Sequence, residues 1–476
     1  MSNYIKSVEE IVADTIKVGE ILTNSDKYYA HTIHKGSSIT KKPELLHEHI
    51  NLVQSKFCLL VKTHQLDLVI DRLIIDLLAQ SKLDVTSDVL NFVKELWVNT
   101  VVFHDFGKIN ENFQADEEKM NNPFFKGKEK KGSPLSTHHS ALGAYLYIVY
   151  HSKRIPDFQR MYGGVLMLYV LGFSYSIFKH HGKYLGDNSK EKIAFRPEEI
   201  TCMRDYIECY NWDVTETFSN HIPLSTAKAF KDLSHHLNSF SFYSLIKLSF
   251  SLLTASDYLA SGEYMTNLKV EDFGVLSEER IDEIYKHVST AEWINETEKK
   301  YNYNKDTFAL AATDYSFQNP KDRNNTNFNI LRREMGVETL QKVRKFSHKN
   351  LFYIEAPTGG GKTNLSFLAT MELLKRNEGL NKVYYVFPFT TLVTQTQTAL
   401  SETLGLSEDE VIMLSSKSGF KEKEQLETSQ SEDEKYRKQK EFYPDNLFCL
   451  FPFCLMTHIK FFNILKTNEK SENYLL

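Results

Sequence analysis

VVFHDFGK, residues 101–108, closes an apolar segment with a histidine and an aspartate on neighbouring backbone positions. At about 100° per residue, Leu90, Val93, Trp97 and Val101 share the helical face of His104, so the segment reads as a helix that points this imidazole into a core. A core-facing histidine beside an aspartate needs partners for its polar atoms. A divalent cation is such a partner, seated compactly by the His104–Asp105 pair, and Gly107 lets the backbone turn away. If that reading holds, the chain must bring further histidines and carboxylates to the same core.

It offers them on several helical segments. In PELLHEHINLVQSKFCLLV, from Pro43, the residues Leu45, Leu46, Leu52, Val53, Phe57, Leu59 and Leu60 lie within about 80° of His49, while His47 lies nearly opposite. His49 is therefore inside and His47 outside. A polar, lysine-rich stretch (114–134) precedes STHHSALGAYLYIVYH, a helix with Ser136 or Thr137 as N-cap. MYGGVLMLYVLGFSYSIFKHHGK is apolar on every face until it delivers His180 and His181, after which Gly182 ends it. FSFYSLIKLSFSLLTASDYLAS carries Asp257 in line with Leu253, Phe250 and Ile246, and a carboxylate on an apolar face requires a partner. His31 and His34, in YYAHTIHKG, show no periodicity and stand outside the site, and His235 and His236 read as solvent-exposed. The remaining donors are nitrogen and oxygen only, a set that suits manganese, iron, cobalt or nickel, and zinc less well. One metal is the minimum, and two bridged by Asp105 would use the whole set.

The composition of the 476 residues, 41% hydrophobic and 25% charged, is that of an ordinary globular protein of about three domains. Its longest apolar run, Gly163 to Phe178, falls short of the roughly 18 residues of a membrane span and reads as a buried helix, so no membrane is expected. The five cysteines (58, 202, 209, 449 and 454) form no CxxC pair, which favours a reducing compartment, the cytoplasm, and disfavours a thiolate zinc site. A net charge of −5 provides no overall attraction for nucleic acid, leaving local basic stretches such as KGKEKK, Lys126 to Lys131.

In the second half, LFYIEAPTGGGKTNLSFLATMELL, from Leu351, reads as strand, glycine-rich loop and helix. Backbone N–H groups from Thr358 through Gly359, Gly360 and Gly361 wrap phosphates, Lys362 reaches the terminal ones, and Thr363 holds Mg²⁺ of a bound ATP. Residues 286–327, which include KKYNYNKD and NPKDRNNTN, are polar and turn-rich and read as a linker. The charged segment 417–440 reads as a mobile insertion. KVYYVFPFTTLVTQTQ and LFCLFPFCLMTHIKFFNIL read as two buried strands with their following helices. After Thr363 no apolar strand ends in Asp-Glu, and LSEDEVIML has its acids before the apolar run.

The order HD-x-G-K, H-x-x-x-G-A, K-H-H and S-D-x-L-A-S resembles the HD phosphohydrolase superfamily, and specifically the nuclease domain of the CRISPR-associated helicase-nuclease of type I interference systems, over roughly residues 1–285. The resemblance implies that His49, His104, Asp105, His139, His180, His181 and Asp257 bind one or two transition-metal ions that cut single-stranded DNA, with Lys108 near the scissile phosphate. His139 is preferred to His138 for its spacing to Gly143 and Ala144. The glycine-rich loop, with Ala356 at its first position, is similar to that of superfamily 2 helicases. KVYYVFPFTTLVTQTQ and LFCLFPFCLMTHIKFFNIL resemble segments lining the helicase nucleic-acid track, and FNILRREM resembles the segment that precedes the loop. The expected architecture is multi-domain: an all-α HD-type domain (1–285), a linker (286–327) and an incomplete α/β RecA-like lobe (328–476) that binds ATP weakly without turning it over. The implied partners are single-stranded DNA and the RNA-guided surveillance complex. Other classes compatible with the residues are a nucleotide phosphohydrolase using the same metals, a non-catalytic binding or inhibitory module, and a motor ATPase, which the missing acidic pair disfavours.

Overall fold

The computed structural model describes residues 4–35, 38–181, 185, 197–212, 239–267, 269–290, 293–295, 298–301, 303–315, 328–414 and 450–466. The chain divides into two compact units between Glu271 and Asp272, with residues 463–466 grouped with the first.

The first unit is built from helices α1 (Val8–Asp14), α2 (Leu46–Thr63), α3 (Asp67–Gln80), α4 (Ser87–Phe103), α5 (His139–Ser152), α6 (Gly163–Lys179) and α7 (Phe240–Thr266). Local chemistry sets several of their starts. Ser7 and Glu10 cap α1 reciprocally, the Ser7 Oγ accepting from Glu10 N and the Glu10 carboxylate from Ser7 N. Thr86 accepts from Val89 N before α4, and Ser239 from Phe242 N before α7. The helix α4 is buried on every face from Leu96 to Phe103, so it is the central element. Trp97 on it packs against Phe57 of α2 and donates its indole N–H to Leu245 O of α7 at 2.8 Å. Among the described residues, Arg160–Lys179 is the one helix long and apolar enough to cross a membrane, yet over half of its apolar window is buried within the protein. Gly172 on it explains one close contact: a Cβ there would lie 2.1 Å from the ring of Phe242 on α7. Two short strands, β1 (Tyr29–His31) and β2 (Glu44–Leu45), pair antiparallel beside the start of α2.

The second unit holds helices α8 (Glu278–Thr290), α9 (Tyr303–Ala311), α10 (Phe328–Phe346), α11 (Lys362–Arg376) and α12 (Thr390–Leu404) around a parallel sheet of β3 (Val383–Phe387), β4 (Val411–Leu414) and β5 (Phe453–Thr457). The strand order is β3-β5-β4, with Phe453 in register with both Val383 and Val411. Phe453, Cys454, Leu455 and Met456 on the central strand are fully buried, as expected for a parallel strand covered on both faces. A buried carboxylate braces the helices: Glu372 on α11 accepts from Arg344 Nε at 2.9 Å, Arg376 Nε at 2.5 Å and the Tyr285 hydroxyl at 2.9 Å.

Four expectations change. The boundary expected at 285/286 falls inside α8, and the supposed linker includes α9, which packs with α8 and α10 because its apolar face (Phe308, Ala311) has a core to join. The segment 351–356 alternates exposed and half-buried residues but is no strand: a strand exists only through its ladder, and no described residue supplies one. Helix α5 begins at His139 with His138 at its N-cap; Ser136 takes φ 47° in the turn ahead, so neither it nor Thr137 caps the helix. The helix expected from Pro43 starts at Leu46, because Glu44 and Leu45 are paired in β2. Gly182, His235, His236 and the segment 417–440 lie outside the described residues.

Candidate metal centre

Helix α4 runs out at Phe103, leaving His104 as its C-cap and Asp105 immediately beyond, both buried. The His104 ring is held by its own helix, with Nδ1 donating to Val101 O at 2.7 Å. His180 uses the same device at the end of α6, its Nδ1 donating to Ile177 O at 2.6 Å. With Nδ1 engaged by a carbonyl, Nε2 is the nitrogen that each ring presents inward.

His139 reaches this pair because two glycines let the backbones touch. A Cβ at Gly107 would stand 1.9 Å from the His139 carbonyl oxygen, and one at Gly143 would stand 2.9 Å from the His104 carbonyl oxygen. Gly107 is not in the left-handed region, so the glycine serves close approach of α5, not the turn away that the sequence suggested.

Asp105 stands between two groups of donors. Its Oδ1 lies 3.6 Å from Nε2 of both His139 and His180. Its Oδ2 lies 3.4 Å from His49 Nε2, 3.3 Å from His104 Nε2 and 2.7 Å from Lys108 Nζ. Asp257 Oδ1 completes the inner group at 3.2 Å from His49 Nε2, and His181 completes the outer one, its Nε2 2.8 Å from that of His139. Within each group, His49-His104-Asp105-Asp257 and Asp105-His139-His180-His181, one donor atom per residue fits inside a 4.8 Å span.

These residues suit a divalent cation. Asp105 Oδ1 and Nε2 of His104 and His180 are buried without a hydrogen-bond partner, although they face one another, and Asp105 Oδ2 meets the Lys108 ammonium. Buried acceptor atoms that converge are costly unless a cation sits among them. Burial alone would raise the Asp105 carboxyl, but Lys108 and then His104 hold it well below the usual carboxylate range. Burial opposes charge on His49, yet the carboxylates of Asp257 and Glu44 override it and push the imidazole up to about 9. Burial and the neighbouring His181 hold His139 well below the ordinary histidine range. The centre is therefore an ionised carboxylate flanked by imidazoles, with Lys108 anchored at Asp105 and at Ala30 O, 3.1 Å away.

All seven histidines and aspartates expected at the site, and Lys108, thus lie together. His138 is exposed, and His47 lies on the opposite, half-buried side of α2, against Gly19. Two neighbours change that picture: Glu44, which its sequence context did not single out, and His31, which was expected to stand outside the site. Glu44 and His31 sit against His49, with Glu44 Oε2 2.8 Å from His31 Nδ1 and 3.2 Å from His49 Nδ1. The signal for them was the pairing of β1 with β2, which places His31 opposite Glu44 and which strands this short do not announce by periodicity.

In the second unit, Gly359 and Gly361 take φ of 77° and 80°, and Gly361 is the N-cap of α11, so Lys362 and Thr363 open that helix. Lys362 Nζ donates to the loop carbonyls of Ala356 and Pro357 at 2.9 and 3.2 Å, and Arg332 of α10 donates to Gly359 O. Thr358, Gly359 and Lys362 are exposed and Gly360 is buried, where a Cβ would stand 2.9 Å from Pro357 O. A left-handed glycine loop feeding a helix N-terminus is a phosphate-binding geometry.

A helical domain centred on an HD pair, followed in the chain by a phosphate loop before a parallel sheet, is the layout of an HD-type domain joined to a P-loop α/β domain. Residues 41–266 match the family of the Cas3 HD domain, and residues 289–451 match that of the type III restriction enzyme, res subunit. The chain is Cas3-like, an HD nuclease domain fused to a helicase-family domain. No curated protein matches it.

Proposed function

We propose that this chain is a divalent-metal nuclease that hydrolyses single-stranded DNA in type I CRISPR antiviral defence. In this reading its ion is manganese, nickel, cobalt or iron, its partners are single-stranded DNA and the RNA-guided surveillance complex, its place is the cytoplasm, and ATP with Mg²⁺ serves the helicase portion. The observation that carries it is Asp105, whose two oxygens face two groups of buried imidazole nitrogens.

When bound, divalent ions supply Lewis acidity at phosphoryl oxygens and lower the pKa of water toward neutrality. Asp105 serves both groups with one oxygen each, and His104 and His180 keep their Nε2 lone pairs directed inward through their bonds to the helix carbonyls. Lys108 directs its ammonium at Asp105 and Ala30 O; the third N–H remains for a phosphate oxygen as negative charge gathers there. His181, exposed at the edge of the outer group, marks the side open to a polynucleotide. Lys119 lies over the Phe113 ring, which packs edge-on against His139, and adds positive charge on that side. The test is cleavage of linear single-stranded DNA by the purified chain with added Mn²⁺, Ni²⁺ or Co²⁺, beside release of phosphate from a free nucleotide. DNA cleavage that Asp105→Asn abolishes is the expected result. Activity on nucleotide alone would move the chain to the small-substrate phosphohydrolases.

A further inference from the structure

Behind the inner group, five side chains close a ring. His49 Nε2 lies 3.2 Å from Asp257 Oδ1, which lies 3.3 Å from Ser261 Oγ. The Ser261 hydroxyl is 3.3 Å from His31 Nε2, and His31 Nδ1 is 2.8 Å from Glu44 Oε2. That same Glu44 oxygen returns to His49 Nδ1 at 3.2 Å. Two of the five, His49 and Asp257, belong to the candidate metal centre; Glu44, His31 and Ser261 do not.

A neutral imidazole has one N–H and one lone pair. If His49 presents Nε2 to a cation, its proton must reside on Nδ1, and Glu44 is the acceptor within reach. Unlike His104 and His180, His49 is inside a helix, where the i−3 and i−4 carbonyls are taken by the backbone ladder, so its ring must be oriented from outside α2. Glu44 is 7% exposed and held by strand pairing to His31, a rigid mounting on an element that carries none of the ligands. Ser261, one turn beyond Asp257 on α7, anchors the carboxylate at the other end of the ring. Among the described residues the outer group closes no such ring: His180 is held by its own helix, and His139 and His181 approach each other directly.

We infer that Glu44 is a positioning residue for the inner group, fixing the His49 tautomer through Nδ1 and, with His31 and Ser261, organising the inner position ahead of the outer one. This rests on the metal-centre reading above. Hydrogen-bond partners of metal-bound histidines are worth about 10- to 100-fold in affinity.

Mn²⁺ titration of the full chain, followed through the electron paramagnetic resonance of free Mn²⁺, separates the two positions. Two equivalents are expected in the unaltered chain, and His181→Ala should lose the outer one. In that background Glu44→Gln, of the same size but uncharged, should weaken the remaining equivalent 10- to 100-fold. In the unaltered background it should weaken one equivalent and spare the other. Equal weakening of both, as a general loss of structure would produce, overturns the inference, and so does unchanged binding. Should Glu44→Gln melt, as judged by far-ultraviolet circular dichroism, Ser261→Ala carries the same test: selective loss at the inner equivalent supports the ring, and loss at neither refutes it. An unaltered chain that binds no metal would instead sink the metal-centre reading, a result distinct from both.

Discussion

Gly107→Ala adds one methyl group at the point where the end of α4 meets the start of α5. The new Cβ would lie 1.9 Å from the His139 carbonyl oxygen and 2.7 Å from Gly143 N, both backbone atoms that cannot rotate aside. Ordinary contact begins at 3.4 Å, so the two segments must part by about 1.5 Å. Alanine at a position whose backbone it tolerates gains about 0.4–1 kcal/mol from a less free unfolded chain, whereas overpacking costs about 1–3 kcal/mol, at the upper end against backbone. The expected net is a destabilisation of about 2 kcal/mol, or a lowering of Tm by roughly 4–8 °C for a unit of this size. Function should suffer more than stability. His139 Nε2 now stands 3.6 Å from Asp105 Oδ1, and metal sites tolerate ligand displacements of only about 0.2 Å, so a shift several times larger removes His139 from the outer group. Differential scanning fluorimetry with and without Mn²⁺ reads both effects. A Gly107→Ala chain with unaltered Tm and unaltered Mn²⁺ stabilisation would refute the close-contact argument.

His139→Ala should lower Mn²⁺ stoichiometry and DNA cleavage, whereas His138→Ala, at the exposed N-cap, should change neither; metal analysis after gel filtration decides. Glu372→Gln should destabilise the second unit by about 2 kcal/mol, less than a fully buried pair because its arginine partners are partly exposed. Glu372 is held below the usual carboxylate range, burial being overcome by Arg344 and Arg376, so its contribution is full above the unfolded value near 4.3 and fades as pH falls through the folded one. Urea midpoints at pH 7 and pH 4 should therefore differ less in Glu372→Gln than in the parent. Lys362→Ala should abolish binding of a fluorescent ATP analogue while leaving Mn²⁺ binding intact, and equal nucleotide affinity in both chains would remove the phosphate role from the loop.

Helical periodicity served well wherever a ligand sits on or at the end of a long amphipathic or wholly apolar helix. His49, His104 and Asp257 could be assigned to a core because ten or more residues around each report the same face. The glycine loop was legible for a different reason, since its spacing is tied to phosphate geometry. Glu44 and His31 were not legible, because a two- or three-residue strand has no period to read and their meeting depends on pairing across a turn. Gly107 was noticed but misinterpreted. Sequence marks a glycine equally whether it supplies a left-handed turn or simply yields space, and only the position of His139 tells which. The segment from Leu351 shows the converse: its alternation is genuine, but alternation specifies a face and not a neighbour to pair with.

The distance in sequence between His49 and Asp257, 208 residues, gives their meeting at 3.2 Å a thermodynamic meaning of its own. An ion gripping both would act on the unfolded chain as a removable cross-link, and closing a loop of that length is worth about 5 kcal/mol of chain entropy. Its grip is then inseparable from the assembly of the helices that carry the donors, since none of them alone presents more than a fragment of the set. Chelation would lower the cooperativity of unfolding along with the midpoint, and the concentration of free divalent ion would determine how much of the first unit is folded at a given temperature.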